Sequence, residues 1–171
     1  MTGDKYHLVK LSMGWMILLA GEKGLKRASL KPSPQEALED LGTELDGAED
    51  DSKVFDDIVN RLYRYSAGEM AALDEIELDL SGATPFFSAA WNACRSIPAG
   101  ETRSYAWLAA EAGSPLAARA AGQSMARNRF SLIIPCHRVI ASDGGLGGYG
   151  GGGLKVKAHL LQMELDQQSP R

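Results

Sequence analysis

The first thirty residues carry short apolar segments at strand length. Residues 6–12 and 15–20 are each bounded by turn residues, Met13-Gly14 between them and Gly21-Glu22-Lys23-Gly24 after them. They are predicted as strands, with a third over 25–30. Ser33-Pro34-Gln35-Glu36 then carries the signature of a helix start: a capping Ser, a Pro fitted to the first turn, and a Glu three residues on. That helix is expected to run to about Leu45, with an acidic loop over 46–52. Val54, Ile58, Val59, Leu62 and Tyr63 recur at helical spacing and predict a second helix. Ile76, Leu78 and Leu80 alternate with acids and predict a strand, and 82–85 is expected to be a linker.

The second half is richer in helical periods. Phe87, Ala90, Trp91, Cys94 and Ile97 form one stripe, stopped by Pro98-Ala99-Gly100. Residues 105–112 predict a short Ala-rich helix ended by Gly113, and Ser114-Pro115 is expected to start another that runs to about Arg127. Two short helices joined by a tight turn, the second carrying arginines, have helix-turn-helix form. The apolar run Leu132-Ile133-Ile134 leads into Pro135-Cys136-His137-Arg138-Val139. A Gly-rich loop follows, and 154–165 predict a last amphipathic helix.

With 171 residues, the chain has room for one ordinary domain or two small ones. Its apolar and charged fractions are those of a globular protein, and no apolar run approaches the ~18 residues of a membrane span. No basic region followed by a long apolar core marks a signal peptide. Two cysteines make neither a disulfide framework nor a four-cysteine zinc site, so a reducing, cytoplasmic location is expected. The net charge of −4 is unevenly spread. Residues 1–85 hold 9 Lys and Arg against 17 Asp and Glu, whereas 86–171 hold 9 against 5. An acidic half joined to a basic half suggests two domains, with any polyanionic partner on the second.

Cys136 is the sharpest chemical feature. A thiol is a useful nucleophile as thiolate, and here a possible base, His137, and a fixed cation, Arg138, lie within two residues. Most free cysteines instead pack as small hydrophobes, which is the reading given to Cys94 on its apolar stripe. Glu164 is a candidate partner to orient His137. Residues 144–153 include eight glycines, and the formal match to G-x-G-x-x-G lacks the βαβ unit a dinucleotide site requires. Glycines there suit a backbone that approaches another group closely.

At Pro135-Cys136-His137-Arg138-Val139 the chain resembles the O6-alkylguanine-DNA alkyltransferases. The resemblance runs from Thr84 to Glu164, through Pro85-Phe86, Ile97-Pro98-Ala99-Gly100, Ser104-Tyr105, Ala117-Ala118-Arg119-Ala120-Ala121-Gly122, Asn128 and Gly148-Tyr149. It implies an α/β protein: an N-terminal ribonuclease-H-like domain, 1–83, and a helical winged-helix-like DNA-binding domain, 84–171. It implies direct, irreversible transfer of an alkyl group from guanine O6 to Cys136, each molecule acting once.

His137, through a water and backed by Glu164, takes the thiol proton in this reading. Asn128 ties the active-site turn to the recognition helix, and Tyr105 protonates the leaving guanine. Arg119 fills the gap left by the flipped base. Ala118 and Gly122 allow close approach to a narrow minor groove, and Ser114, Arg127 and Ser142 add DNA contacts. Val139, Tyr149 and Gly150 line the base pocket. The expected partner is double-stranded DNA containing O6-alkylguanine, with no metal, cofactor, membrane or obligate protein partner. Arg129, where a proline commonly follows the asparagine, is expected to add a phosphate contact, and Gly153 is an extra loop glycine. A protein that binds lesions without transfer, or a cysteine hydrolase using Cys136, His137 and Glu164, remains open on the sequence alone.

Overall fold

The computed structural model describes residues 3–147, 149 and 153–168. The chain divides into two compact units, Met1–Asp79 and Leu80–Arg171. Among the described residues no helix is long and apolar enough to cross a membrane.

The first unit is built on an antiparallel meander, β1 (Lys5–Leu11), β2 (Gly14–Gly21) and β3 (Gly24–Lys31). Met16, Ile17, Leu18 and Leu19 are all buried, so the central strand β2 is covered on both faces and reads as a continuous apolar run. Ile17 and Leu19 pack on Ala37 and Leu41 of α1 (Pro34–Leu41). Ser33 caps that helix as expected, its Oγ accepting from Glu36 N at 3.1 Å. The helix stops one turn before the expected Leu45, because Gly42 takes φ +50 and hands the chain to a 3-10 turn, Gly42–Leu45.

The acidic loop contains a two-residue strand, β4 (Glu49–Asp50), parallel to β1. Its side chains are exposed, so backbone pairing alone makes it a strand and no apolar pattern announces it. Conversely, 76–80 is not a strand. It touches the sheet only at an isolated bridge, Leu25 with Leu78, through Leu25 N to Glu77 O (3.3 Å) and Asp79 N to Leu25 O (2.8 Å). The alternation there reflects a chain crossing the end of β3, with Ile76 buried. Between these lie α2 (Asp56–Ser66) and a 3-10 turn, Met70–Leu73.

The second unit holds α3 (Pro85–Arg95), α4 (Tyr105–Glu111), α5 (Ala118–Ala126) and α6 (Leu154–Gln168). A small parallel pair, β5 (Arg103–Ser104) with β6 (Val139–Ile140), joins the start of α4 to the segment that follows Cys136. Thr84 and Ser104 cap α3 and α4 through Phe87 N and Trp107 N. Ala90, Trp91, Cys94 and Ile97 are buried, and Trp91 Nε1 donates to Ser124 O at 2.9 Å, fastening α3 to α5. Helix α5 begins at Ala118, later than the Ser114-Pro115 start expected. Ser114 does not cap it; its carbonyl closes a turn with Ala117 N at 2.9 Å. Arg129, expected as a phosphate contact, is half-buried. Its guanidinium lies 5.1 Å from the Trp91 ring and 5.6 Å from Phe130, and Nη1 donates to Ser81 O.

The two hairpin and helix-end glycines of the first unit should respond differently to alanine. A Cβ at Gly14, φ +145, would stand 2.7 Å from Lys31 O, whereas one at Gly42 meets nothing within 4 Å. Gly42→Ala should cost about 1 kcal/mol, the left-handed penalty alone, and Gly14→Ala about 2–3 kcal/mol because β2 and β3 must also separate. Urea unfolding of the two variants measures the difference.

Candidate active site

The chain approaches Cys136 through a sequence of tight turns. Leu132 is buried at φ +70, the one non-glycine residue with positive φ among those described. Ile134 N donates to Phe130 O at 2.9 Å, closing the turn. Pro135, at φ −79 and ψ 65, then forms an inverse γ-turn that brings Cys136 N to within 2.7 Å of Ile134 O. Asn128 braces this path at two points. Its Oδ1 accepts from Phe130 N at 2.8 Å and its Nδ2 donates to Ile134 O at 2.9 Å. The result is a half-buried thiol at the head of a 3-10 turn, Cys136–Arg138, not on a strand.

The next two side chains meet one carboxylate. His137 and Glu164 are fully buried, with His137 Nε2 3.0 Å from Glu164 Oε2. Arg138 forks onto the same group, Nε to Oε1 at 2.9 Å and Nη2 to Oε2 at 2.7 Å, and its Nη1 donates to Ile97 O at 2.7 Å. Burial alone raises the Glu164 carboxyl, but the hydrogen bonds from His137 and Arg138 outweigh it and hold the group well below the usual carboxylate range. An ionised carboxylate only accepts hydrogen bonds, so the proton at the shared contact sits on His137 Nε2. Burial lowers the imidazole below its ordinary value despite Glu164, and His137 is therefore neutral with a lone pair on Nδ1. Nδ1 is buried and has no hydrogen-bond partner among the described residues.

The expectation that Arg138 would acidify the thiol is corrected by this geometry, since its charge is spent on Glu164. The cation that acts on Cys136 is Lys157, which sequence reasoning missed. Burial pushes the Cys136 thiol up, while the Asn128 side chain and the positive charge of Lys157 pull it down without cancelling the rise. The resting group is a thiol that needs a base. Lys157 is itself buried on α6, and its Nζ donates to Val139 O at 2.8 Å and to Leu146 O. It thus links the strand after Cys136 to the Gly-rich loop. The available signal was its place on one stripe of α6 with the buried Leu160 and Glu164.

Tyr105 opens α4 half-buried, and burial raises its phenol, so it stays a proton donor. Gly147, φ +70, lies against it: a Cβ there would stand 3.0 Å from Tyr105 Oη. Gly122 also faces the Tyr105 ring. The Tyr149 ring stands edge-on to His137, centroids 6.5 Å apart. Ala118 and Arg119 begin α5, where Arg119 is exposed with no hydrogen bond or ion pair among the described residues; Arg127 ends the helix, also exposed. Ser114 and Ser142 are exposed in turns, whereas Val139 is buried and presents its carbonyl to Lys157. Gly150 lies outside the described residues.

Removing the shared carboxylate should be costly. Glu164→Gln leaves the buried Arg138 without a counter-charge and should destabilise the protein by about 3–5 kcal/mol. The native values of Glu164 and His137 both lie below their ordinary ones, so the unfolded chain binds more protons. Wild-type stability should fall as pH drops through the ordinary histidine value of 6.5 and again below the ordinary carboxyl value of 4.5. Thermal midpoints between about pH 4 and pH 8 should show this slope, and Glu164→Gln should flatten its acidic part.

Residues 85–165 match the family model described as 6-O-methylguanine DNA methyltransferase, DNA binding domain. The methylated-DNA–protein-cysteine methyltransferase of Mycobacterium leprae is 49% identical over 113 residues, 66% of this chain and 67% of that protein. The crystal structure of Mycobacterium tuberculosis O6-methylguanine methyltransferase superposes with a TM-score of 0.81 at 34% identity, covering 98% of this chain and 96% of the other. The same organism's enzyme in complex with DNA gives 0.79 at 36% identity, over 95% and 94%. The chain belongs to the methylated-DNA–protein-cysteine methyltransferase family.

Proposed function

We propose that the protein repairs DNA by moving an alkyl group from guanine O6 to Sγ of Cys136. The observation that carries this reading is a half-buried thiol beside a neutral imidazole whose Nδ1 has no hydrogen-bond partner among the described residues and whose Nε2 is held by an ionised carboxylate. Through one bridging water, Nδ1 takes the thiol proton as Sγ attacks the alkyl carbon. The S–C bond forms as the C–O6 bond breaks, and the electron pair passes into the guanine ring. Tyr105 delivers a proton to that ring at N3, and the proton taken from the thiol restores the balance. The product is a thioether and an unmodified guanine. Nothing in this chemistry regenerates the thiol, so each molecule reacts once.

A base within a duplex must leave the stack to reach Cys136. In our reading α5 lies in the minor groove, Ala118 and Gly122 allowing close approach, and Arg119 takes the vacated place. Ser114, Arg127 and Ser142 contact the DNA backbone, while Val139, Tyr149 and Gly150 line the base pocket. The partner is double-stranded DNA bearing O6-alkylguanine, bound by a monomer. We read 1–83 as a ribonuclease-H-like domain and 84–171 as a winged-helix-like DNA-binding domain. The need for a reduced thiol, with Cys94 and Cys136 both free, supports a cytoplasmic location.

Incubation with duplex containing O6-methylguanine should add one methyl group to each protein molecule, mapped to the peptide of Cys136. Cys136→Ser should gain no mass while still binding the duplex, and Cys94→Ser should react normally. Binding without mass gain by the wild-type protein would leave only lesion recognition, and catalytic turnover on an ester would point to a hydrolase.

Arg119 and Tyr105 separate flipping from chemistry. Flipping a stacked guanine costs a few kcal/mol. Arg119→Ala should therefore slow repair of the duplex by about tenfold or more while leaving reaction with free O6-benzylguanine unchanged. Tyr105→Phe should slow both, since the proton donor is lost in each. Rate constants on the two substrates test the assignments, and an unchanged duplex rate for Arg119→Ala would sink the finger role.

A further inference from the structure

Leu116 is wholly exposed, at 101%, whereas no other large exposed apolar side chain of the described residues passes 52%. It lies in the turn between α4 and α5, next to the N-cap residue Ala117 and three residues before Arg119. Isolated apolar side chains on a surface are ordinary. This one differs in its complete exposure and in its position at the leading end of the helix assigned to DNA, where it sits between Pro115 and Ala117 and packs against none of the described residues.

We infer that Leu116 is an apolar DNA contact, packing against the deoxyribose edges of the minor-groove wall when α5 enters the groove. The inference rests on the alkyl-transfer reading and extends it to a residue that reading leaves idle. The minor groove offers a narrow floor of base edges and walls of sugar C–H surface, and minor-groove proteins commonly place leucine and similar side chains there. An aliphatic side chain neutralises no phosphate, so it displaces no counterion. Its contribution is independent of salt and of sequence, and it complements exposed Arg119 and Arg127, whose charges are salt-sensitive. A partly apolar edge also keeps water away from the step at which the base leaves the stack.

The test uses the full chain carrying Cys136→Ser for binding, and the otherwise native chain for transfer. Leu116→Ala and Leu116→Lys change a fully exposed position, so melting curves should match the parent. On a duplex containing O6-methylguanine, anisotropy titrations should show Leu116→Ala weakening affinity by about tenfold, with an unchanged slope of log affinity against log salt. Leu116→Lys should recover affinity at low salt with a slope steeper by about one. Transfer from the duplex should slow in Leu116→Ala when the duplex is sub-saturating, and reaction with free O6-benzylguanine should be unaffected in either variant.

A reacting parent whose Leu116→Ala variant binds the duplex as tightly overturns the contact alone. A loss in Leu116→Ala that comes with an altered salt slope also overturns it, because the effect would then be electrostatic. A parent that neither binds nor reacts with the duplex overturns the alkyl-transfer reading and this contact with it.

Discussion

One buried carboxylate organises the reactive end of this molecule. Glu164 accepts from His137 and, bidentately, from Arg138, so two consecutive side chains of the Cys136 turn are pinned to a single residue of α6. Arg138 carries the constraint onward to the carbonyl of Ile97 at the end of α3. A buried ion pair is an uncertain source of stability, because desolvation offsets attraction. Its clearer effect here is on protonation. The carboxylate stays ionised, which fixes the imidazole proton on Nε2 and turns the other nitrogen into the base.

The same arrangement explains why the thiol needs help. Burial favours neutral sulfur, and the nearest fixed cation by sequence, Arg138, is already neutralised. Lys157 supplies part of the missing positive field while holding Val139 O and Leu146 O, so the electrostatics of the nucleophile and the placement of the Gly-rich loop depend on one side chain. A thiol kept protonated at rest is protected from adventitious oxidation and alkylation, which follows thiolate character. That suits a residue which can be used only once.

Much of this is legible in the amino-acid sequence. The meander of β1 to β3, the Ser33 cap and the stripe of α3 follow from periodicity and local chemistry. The acidic residue behind His137 was also identifiable from the chain. What was hidden has a common cause. Strand β4 is defined by backbone pairing with exposed side chains, and 76–80 alternates with only one isolated bridge, so hydrophobic pattern misleads in opposite directions at the two places. Ser114-Pro115 has the residues of a helix start, yet the chain makes a turn first and α5 begins at Ala118. The roles of Arg129, Arg138 and Lys157 depend on partners distant in sequence, and a cation's charge alone does not reveal whether it will face solvent, an aromatic pair or a buried carboxylate. The left-handed backbone at Leu132 carries no sequence signal, since leucine rarely adopts it.

Repair by this site depends on His137 being a neutral base with its lone pair on Nδ1. Nitrogen-15 NMR of the histidine side chains in the full-length protein reads this directly. His137 should show a protonated Nε2 and an unprotonated Nδ1, and this pattern should persist as the pH is lowered past the ordinary histidine value of 6.5. A proton on Nδ1, or an imidazolium form near neutral pH, would contradict it, because neither form could accept the proton of Cys136.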